Sequence, residues 1–204
     1  MTVEPTVISG PVKEAVGLGE AKLQCKVDYW EDDELFAIWI AAARDYVEAQ
    51  AGITIHEKTL ETTRDYFPGC NYIRLPRATP LIAVTSMIYT SAAGVATTWP
   101  SSNYIVDTDS KVGRIVLADG ISWPSDDLLP ANGIRIRYRA GLATASPEVE
   151  CEAKYKYPIM LLINGFDRNR SAESMPDRAT MSMIAINFGV NAWIDRLRVE
   201  SHIF

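Results

Sequence analysis

Two histidines, His56 and His202, are the side chains best suited to moving protons at neutral pH, and each stands alone in the sequence. Neither has a second histidine, a cysteine or a paired carboxylate at metal-ligand spacing, so a solvated or partly packed imidazole is the plainer reading of both. No GxSxG, HExxH, GxxxxGK[ST] or GxGxxG pattern occurs. Gly17-Leu18-Gly19 has the glycines of a phosphate loop. No strand precedes it and Glu20 follows, so it reads as the entry to a helix. Asp107-Thr108-Asp109 alternates acids as calcium loops do, yet it lacks the downstream glycine and bidentate glutamate in register, which leaves a turn with two acids. These residues give no catalytic, cofactor-binding or metal-binding assignment. The expectation is a protein that works by binding other chains, with no cofactor. Against it stands a small enzyme with a carboxylate site in the β-region, at Asp107 or Asp109.

Three sets of residues have the types and spacing for binding. The acids Glu31, Asp32, Asp33 and Glu34 suit a helix start, where the macrodipole favours negative charge, and also suit a contact between subunits. Arg135, Arg137 and Arg139 share one face of a strand. Three like charges at that spacing repel, so they are either a solvated face or a face completed by acids of a neighbouring subunit, such as the 31–34 run. Trp193, Arg196, Arg198 and Phe204 combine aromatic anchors with arginines, the types that dominate interface energies. They read either as an interface or as a helix packed on its own domain.

The elements that position these residues follow from periodicity. Residues 1–19, with Pro5, Gly10, Pro11, Gly17 and Gly19, read as an irregular, flexible arm, and 20–27 as a short helix capped by Gly19. Residues 32–51 form the clearest helix, opened by Asp32 or Asp33 and stopped by Gly52. It carries two apolar stripes, one of Leu35, Ile38, Trp39, Ala42, Tyr46 and Ala49, the other of Phe36, Ile40, Ala43 and Val47. A helix apolar round so much of its girth needs covering on more than one side, often by another subunit. Strands are expected over 59–67, 72–75, 81–89, 104–107, 114–117 and 133–140, separated by Gly, Pro, Asn and Ser turns. In the last, Ile134, Ile136 and Tyr138 alternate with the three arginines. Helices return over 148–170, interrupted at Pro158, and over 179–199. Helices flanking a cluster of strands make the fold α+β, a helical core with an inserted antiparallel β-region at about 57–140.

Composition narrows the partners. With 48% apolar and 23% charged residues the chain can bury a core. Residues 1–51 hold ten acids and four bases, which accounts for the whole net charge of -6, since the remainder balances. Tight grip on nucleic acid by its phosphates needs a basic excess that this chain lacks. Three dispersed cysteines suit a reducing compartment, and no apolar run approaches a membrane span, so a cytoplasmic origin without a membrane partner is expected.

Taken in order, several segments resemble a known family. They are Gly19-Glu20-Ala21-Lys22 with Val27-Asp28, Asp32-Asp33-x-Leu35, and Ile40-Ala41-Ala42-Ala43-Arg44-Asp45-Tyr46-Val47-Glu48. Tyr66-Phe67-Pro68, Ile73-Arg74-Leu75-Pro76-Arg77, Pro80-Leu81 and Val84-Thr85-Ser86 continue the series. Tyr104-x-Val106-Asp107, Gly113-Arg114-Ile115, Ser122-Trp123-Pro124, Ile134-Arg135-Ile136, Ala140-Gly141, Ile159 to Ile163 and Asn169-Arg170 complete it. The chain is similar over about residues 18–170 to the head–tail connector proteins, also called adaptors or head-completion proteins, of long-tailed bacteriophages and gene transfer agents. It departs at Pro158, and residues 171–204 match only loosely.

The resemblance implies a virion structural protein of the neck, made in the bacterial host cytoplasm. It implies a homo-oligomeric ring, usually twelve-fold, that joins the portal protein to a downstream neck or tail protein and prolongs the DNA channel without reading DNA sequence. It divides the chain into an arm (1–19), a connector domain (20–170) and a C-terminal segment (171–204) that docks on the portal, with Trp193, Arg196, Arg198 and Phe204 as its candidates. A neck adaptor that stays monomeric until docked is the variant of this expectation.

Overall fold

In the structure, a computed structural model, residues 4–11, 13–125, 127–142, 151–170 and 189–198 are described. They form two compact units, one of residues 4–11 and 52–142, the other of residues 13–51, 151–170 and 189–198.

The first unit is antiparallel β-structure. Its strands are β1 (Thr6–Ser9), β2 (Lys58–Arg64), β3 (Tyr72–Arg74), β4 (Leu81–Thr90), β5 (Ala96–Thr98), β6 (Tyr104–Asp107), β7 (Arg114–Leu117) and β8 (Ile134–Ala140). Five of them make a sheet in the order β1-β2-β8-β4-β5, and three make a sheet β3-β7-β6. The period of two in β8 is realised, with Ile134, Ile136, Tyr138 and Ala140 all fully buried. They join Leu60, Ile73, Leu75, Met87 and Ile115 in one apolar core drawn from both sheets. Aromatic rings close one end of it. Phe67 stacks on Trp123 with centroids 5.2 Å apart, and Trp99 lies 5.2 Å from Trp123 and 5.7 Å from Tyr104. Two glycines let the backbone approach itself. A Cβ on Gly113 would stand 2.3 Å from Cβ of Leu81, and one on Gly141, whose φ is +127°, would stand 2.5 Å from the carbonyl of His56.

The second unit is helical. The helices are α1 (Leu18–Cys25), α2 (Asp33–Ala51) and α3 (Ala153–Arg168), and residues 189–197 are also helical. α1 packs on both α2 and α3, and α2 packs on α3. Phe36, Ile40, Ala43 and Val47 are buried along α2, as are Ile159, Leu162 and Ile163 on α3. Val190 and Ile194 are buried in the C-terminal helix, and Gly189 lies against Leu161 of α3.

The α+β architecture expected from periodicity is present, and several details differ. Residues 6–9, expected in the irregular arm, form β1 against β2, with Thr6 opposite Glu61. β5 was not expected at all, since Ala96–Thr98 is three residues long and exposed throughout. α1 starts two residues early because the capping residue is Gly17, not Gly19: the Glu20 carboxylate accepts the Gly17 N–H at 2.8 Å. α1 then stops at Cys25 because Lys26 is left-handed, with φ 60°. Pro158 neither breaks nor restarts α3, which runs through it. α3 starts at Ala153 after Glu152, so residues 151 and 152 of the helix expected over 148–170 are not helical, and β2 ends at Arg64 where a strand to 67 was expected. Residues 143–150 and 171–188, where the expected starts at 148 and 179 fall, lie outside the described residues.

Candidate functional site

α2 is the element whose two apolar stripes set the question of partners. The stripe of Phe36, Ile40, Ala43 and Val47 is buried. The other stripe divides. Leu35 and Trp39 are half-buried, Trp39 meeting Phe36 at 5.2 Å and Phe166 at 6.4 Å. Ile38 is 64% exposed and Tyr46 42% exposed, with Ala42 and Ala49 exposed between and beyond them. Ile38, Ala42 and Tyr46 are four residues apart, so they lie one above another as a ridge along the helix.

The acidic run at the start of α2 splits in the same way. Asp32 accepts from Arg170 at 2.6 Å, and that guanidinium also reaches Asp167 at 2.7 Å and covers the Trp39 ring at 5.0 Å. Hydrogen bonding from Arg170 holds Asp32 below the usual carboxylate range. Asp33 pairs with Lys22 at 2.6 Å. Glu31 and Glu34 are exposed and have no ion-pair partner among the described residues. The inner side of α2 carries a different electrostatic feature. Arg44 binds Glu14 at 2.7 Å and the fully buried Glu48 at 3.2 Å, which ties residues 13–16 to the helix.

The arginine face of β8 is where the alternation places it, but its charges are answered within the chain. Glu61 of β2 stands opposite Arg137 in the ladder and binds it at 2.8 Å, with Arg135 at 3.5 Å. Glu57 binds Arg139 at 2.6 Å. The side chains of Arg135, Arg137 and Arg139 remain 55%, 41% and 46% exposed. Mutual repulsion alone therefore gives no reason for a partner, because two carboxylates already sit among the three guanidinium groups. One positive charge is left over. Glu57 and Glu61 could not be picked out as partners from the sequence, because the pairing depends on a strand register joining segments 76 residues apart.

In the C-terminal helix Trp193 is half-buried against Tyr157 of α3, with rings 5.2 Å apart in an edge-to-face arrangement. Arg196 lies over the Trp193 ring, and Arg198 is half-exposed beside Asp195 at 3.3 Å. Trp193 thus anchors the helix to its own unit, while Arg196 and Arg198 point outward. Phe204 and His202 lie outside the described residues.

The residues weighed for chemistry have structural partners. Asp107 accepts from Ser110 Oγ at 2.6 Å, from the Ser110 N–H at 3.0 Å and from Arg114 at 2.7 Å, a clamp across the β6–β7 turn. Those bonds from Ser110 and Arg114 hold it well below the usual carboxylate range, which makes it a poor base. His56 is buried in the β-unit. Among the described residues no group of three or more His, Cys, Asp or Glu side chains converges as a metal site would require, and no helix is long and apolar enough to cross a membrane.

No protein-family profile and no curated protein matches this chain. Solved structures do. A chain from the neck of an empty gene transfer agent particle, computed with C6 symmetry, superposes with a TM-score of 0.72 at 18% identity over 98% of both chains. A chain from the neck of a native gene transfer agent particle, computed with C12 symmetry, gives 0.71 at 19% identity, again over 98% of both. A chain from the virion of a native gene transfer agent particle gives 0.73 at 20% identity over 98% of both. The chain shares the fold of these virion components from end to end, which is the fold that the resemblance to head–tail connectors implies.

Proposed function

We propose that this chain is a virion structural protein of the neck, one copy of an oligomeric ring that joins the capsid portal to the tail. The observation that carries the reading is the fold match over 98% of both chains to components of neck assemblies with C6 and C12 symmetry. Copies of one chain disposed about such an axis meet through two different faces, and the rotation closes the ring. Twelve copies is the number proposed. Each copy then needs a face for its neighbour, and one for whatever lies above and below.

Three surfaces serve these needs. The exposed arginines Arg135, Arg137 and Arg139, with one charge more than Glu57 and Glu61 neutralise, meet acids of the next subunit, Glu31 and Glu34 first among them. Asp32 and Asp33 contribute from inside, by holding the entry to α2 in place through Arg170 and Lys22. Arg196 and Arg198 present the C-terminal helix to the portal, Trp193 fixes that helix on α3, and Phe204 extends the docking segment. DNA passes through the channel without sequence readout, in keeping with a chain of net charge -6 that has no basic excess to grip phosphates. The reading is of a structural protein with no cofactor and no turnover.

The test is electron microscopy and light scattering of the purified chain, alone and mixed with the portal protein of the same particle. Rings, or a portal complex lost on deleting residues 179–204, are expected. A chain that remains monomeric and ignores the portal refutes the reading, and an assay for hydrolytic activity sensitive to Asp107→Asn then becomes the next step.

A further inference from the structure

We infer that the outward ridge of α2, with Ile38, Ala42 and Tyr46 at its centre, is the apolar core of the seam between neighbouring copies of this chain in the ring. The inference rests on the ring reading above and adds to it which helix face closes the ring.

The ridge is unusual for a solvated helix face. Over three turns from Ile38 to Ala49 the outward positions are Ile, Ala, Asp, Tyr and Ala, and Ile38 is 64% exposed although it stands two residues from the fully buried Phe36. Ala42 leaves a notch between two large side chains, the shape into which a ridge on a facing element fits. From Ile38 to Ala49 the helix advances about 16 Å at ~1.5 Å per residue, enough for the centre of an interface that needs roughly 800 Å² per partner. Trp30, 76% exposed in the turn that leads into α2, adds an aromatic anchor of the kind that carries interface energy.

Charge selects the occupant. Glu31 and Glu34 edge the ridge and have no ion-pair partner among the described residues, so a polyanion such as the DNA in the channel is repelled from this face. A second copy supplies what the edge lacks, since the β8 face carries three exposed arginines against two carboxylates. The two features sit on different residues of one chain. Head-to-tail association about a symmetry axis brings such unlike faces together.

Photo-crosslinking of the full chain, with p-benzoylphenylalanine in place of Ala42 and the assembly formed with its portal protein, reads the contact directly. The expected adduct joins two copies of this chain, and Ala42→Glu is expected to raise the concentration needed for rings at least tenfold. Val95→Ser, at a 61% exposed position of the β-unit, is expected to leave it unchanged. Circular dichroism melting of Ala42→Glu should match the wild type, because the position is outward. Rings with adducts only to the portal, to a tail protein or to DNA, or rings without adduct, overturn the inference and leave the ring reading standing. No ring from the wild-type chain with its portal overturns both.

Discussion

The two units of this chain handle their surfaces differently. In the β-unit the charges of the β8 face and of the β6–β7 turn are matched inside the chain. Arg135 and Arg137 meet Glu61, Arg139 meets Glu57, and Arg114 meets Asp107. In the helical unit α2 buries one stripe fully and leaves part of another bare, with Ile38 and Tyr46 exposed and Glu31 and Glu34 unanswered among the described residues. A sheet face that carries most of its own counterions keeps a single charge for a partner. A helix with apolar residues on opposite sides is finished by something else. The contrast separates residues that hold the fold from residues that remain for assembly, and it does so within one helix, where Phe36 and Ile38 are two positions apart.

Breaking that contrast should have its largest effect on the inner side. Phe36→Ala removes a fully buried ring from the helical unit and is expected to cost about 3–5 kcal/mol. Ile38→Ala, on the outer side, should change the stability of the isolated chain by no more than about 0.5 kcal/mol. Chemical denaturation of both variants checks the difference, and equal effects would erase the distinction between the two stripes.

Arg44→Ala comes next. It removes the guanidinium that binds both Glu14 and the fully buried Glu48, at an expected cost of about 2 kcal/mol by the same measurement. Arg44→Lys should recover part of that loss, since a single ammonium cannot hold both Glu14 and Glu48 as the fork does.

The β-unit should reveal its internal pairing through pH. Asp107 is held below its ordinary range by Ser110 and Arg114, so its folded form favours the carboxylate more than the unfolded chain does. The sign follows from linkage. The stabilisation is present above the unfolded value of about 4 and is lost as pH falls from there toward the folded value. Asp107→Asn should flatten the acid limb of a stability-against-pH curve, and an unchanged limb would mean the clamp contributes nothing. The smallest effect is expected for Arg137→Ala, where an exposed ion pair contributes under about 1 kcal/mol. A loss of several kcal/mol there would show the arginine face to be structural rather than available for a partner.

Much of this was legible in the sequence. β6 and β7 lie at the expected residues, and the alternation in β8 placed Ile134, Ile136 and Tyr138 inward and the arginines outward. The doubled stripe on α2 announced a helix with two apolar sides. Local pattern failed where the cause was not local. β1 and β5 are short exposed edge strands whose existence depends on the ladders of β2 and β4, so no period of their own marks them. The partners Glu57 and Glu61 of the arginine face are set by register across a long sequence separation. Nor does composition tell that Asp32 and Asp33 are held by Arg170 and Lys22 while Glu31 and Glu34 are not, because that depends on where α1 and α3 dock beside α2.

The central claim, that copies of this chain close into a ring at the neck, is tested most directly by electron microscopy of the full chain assembled on its portal protein. A closed ring of density on one end of the portal, with successive copies in contact, is the result expected. Portal particles that stay bare at every concentration of the chain would contradict it.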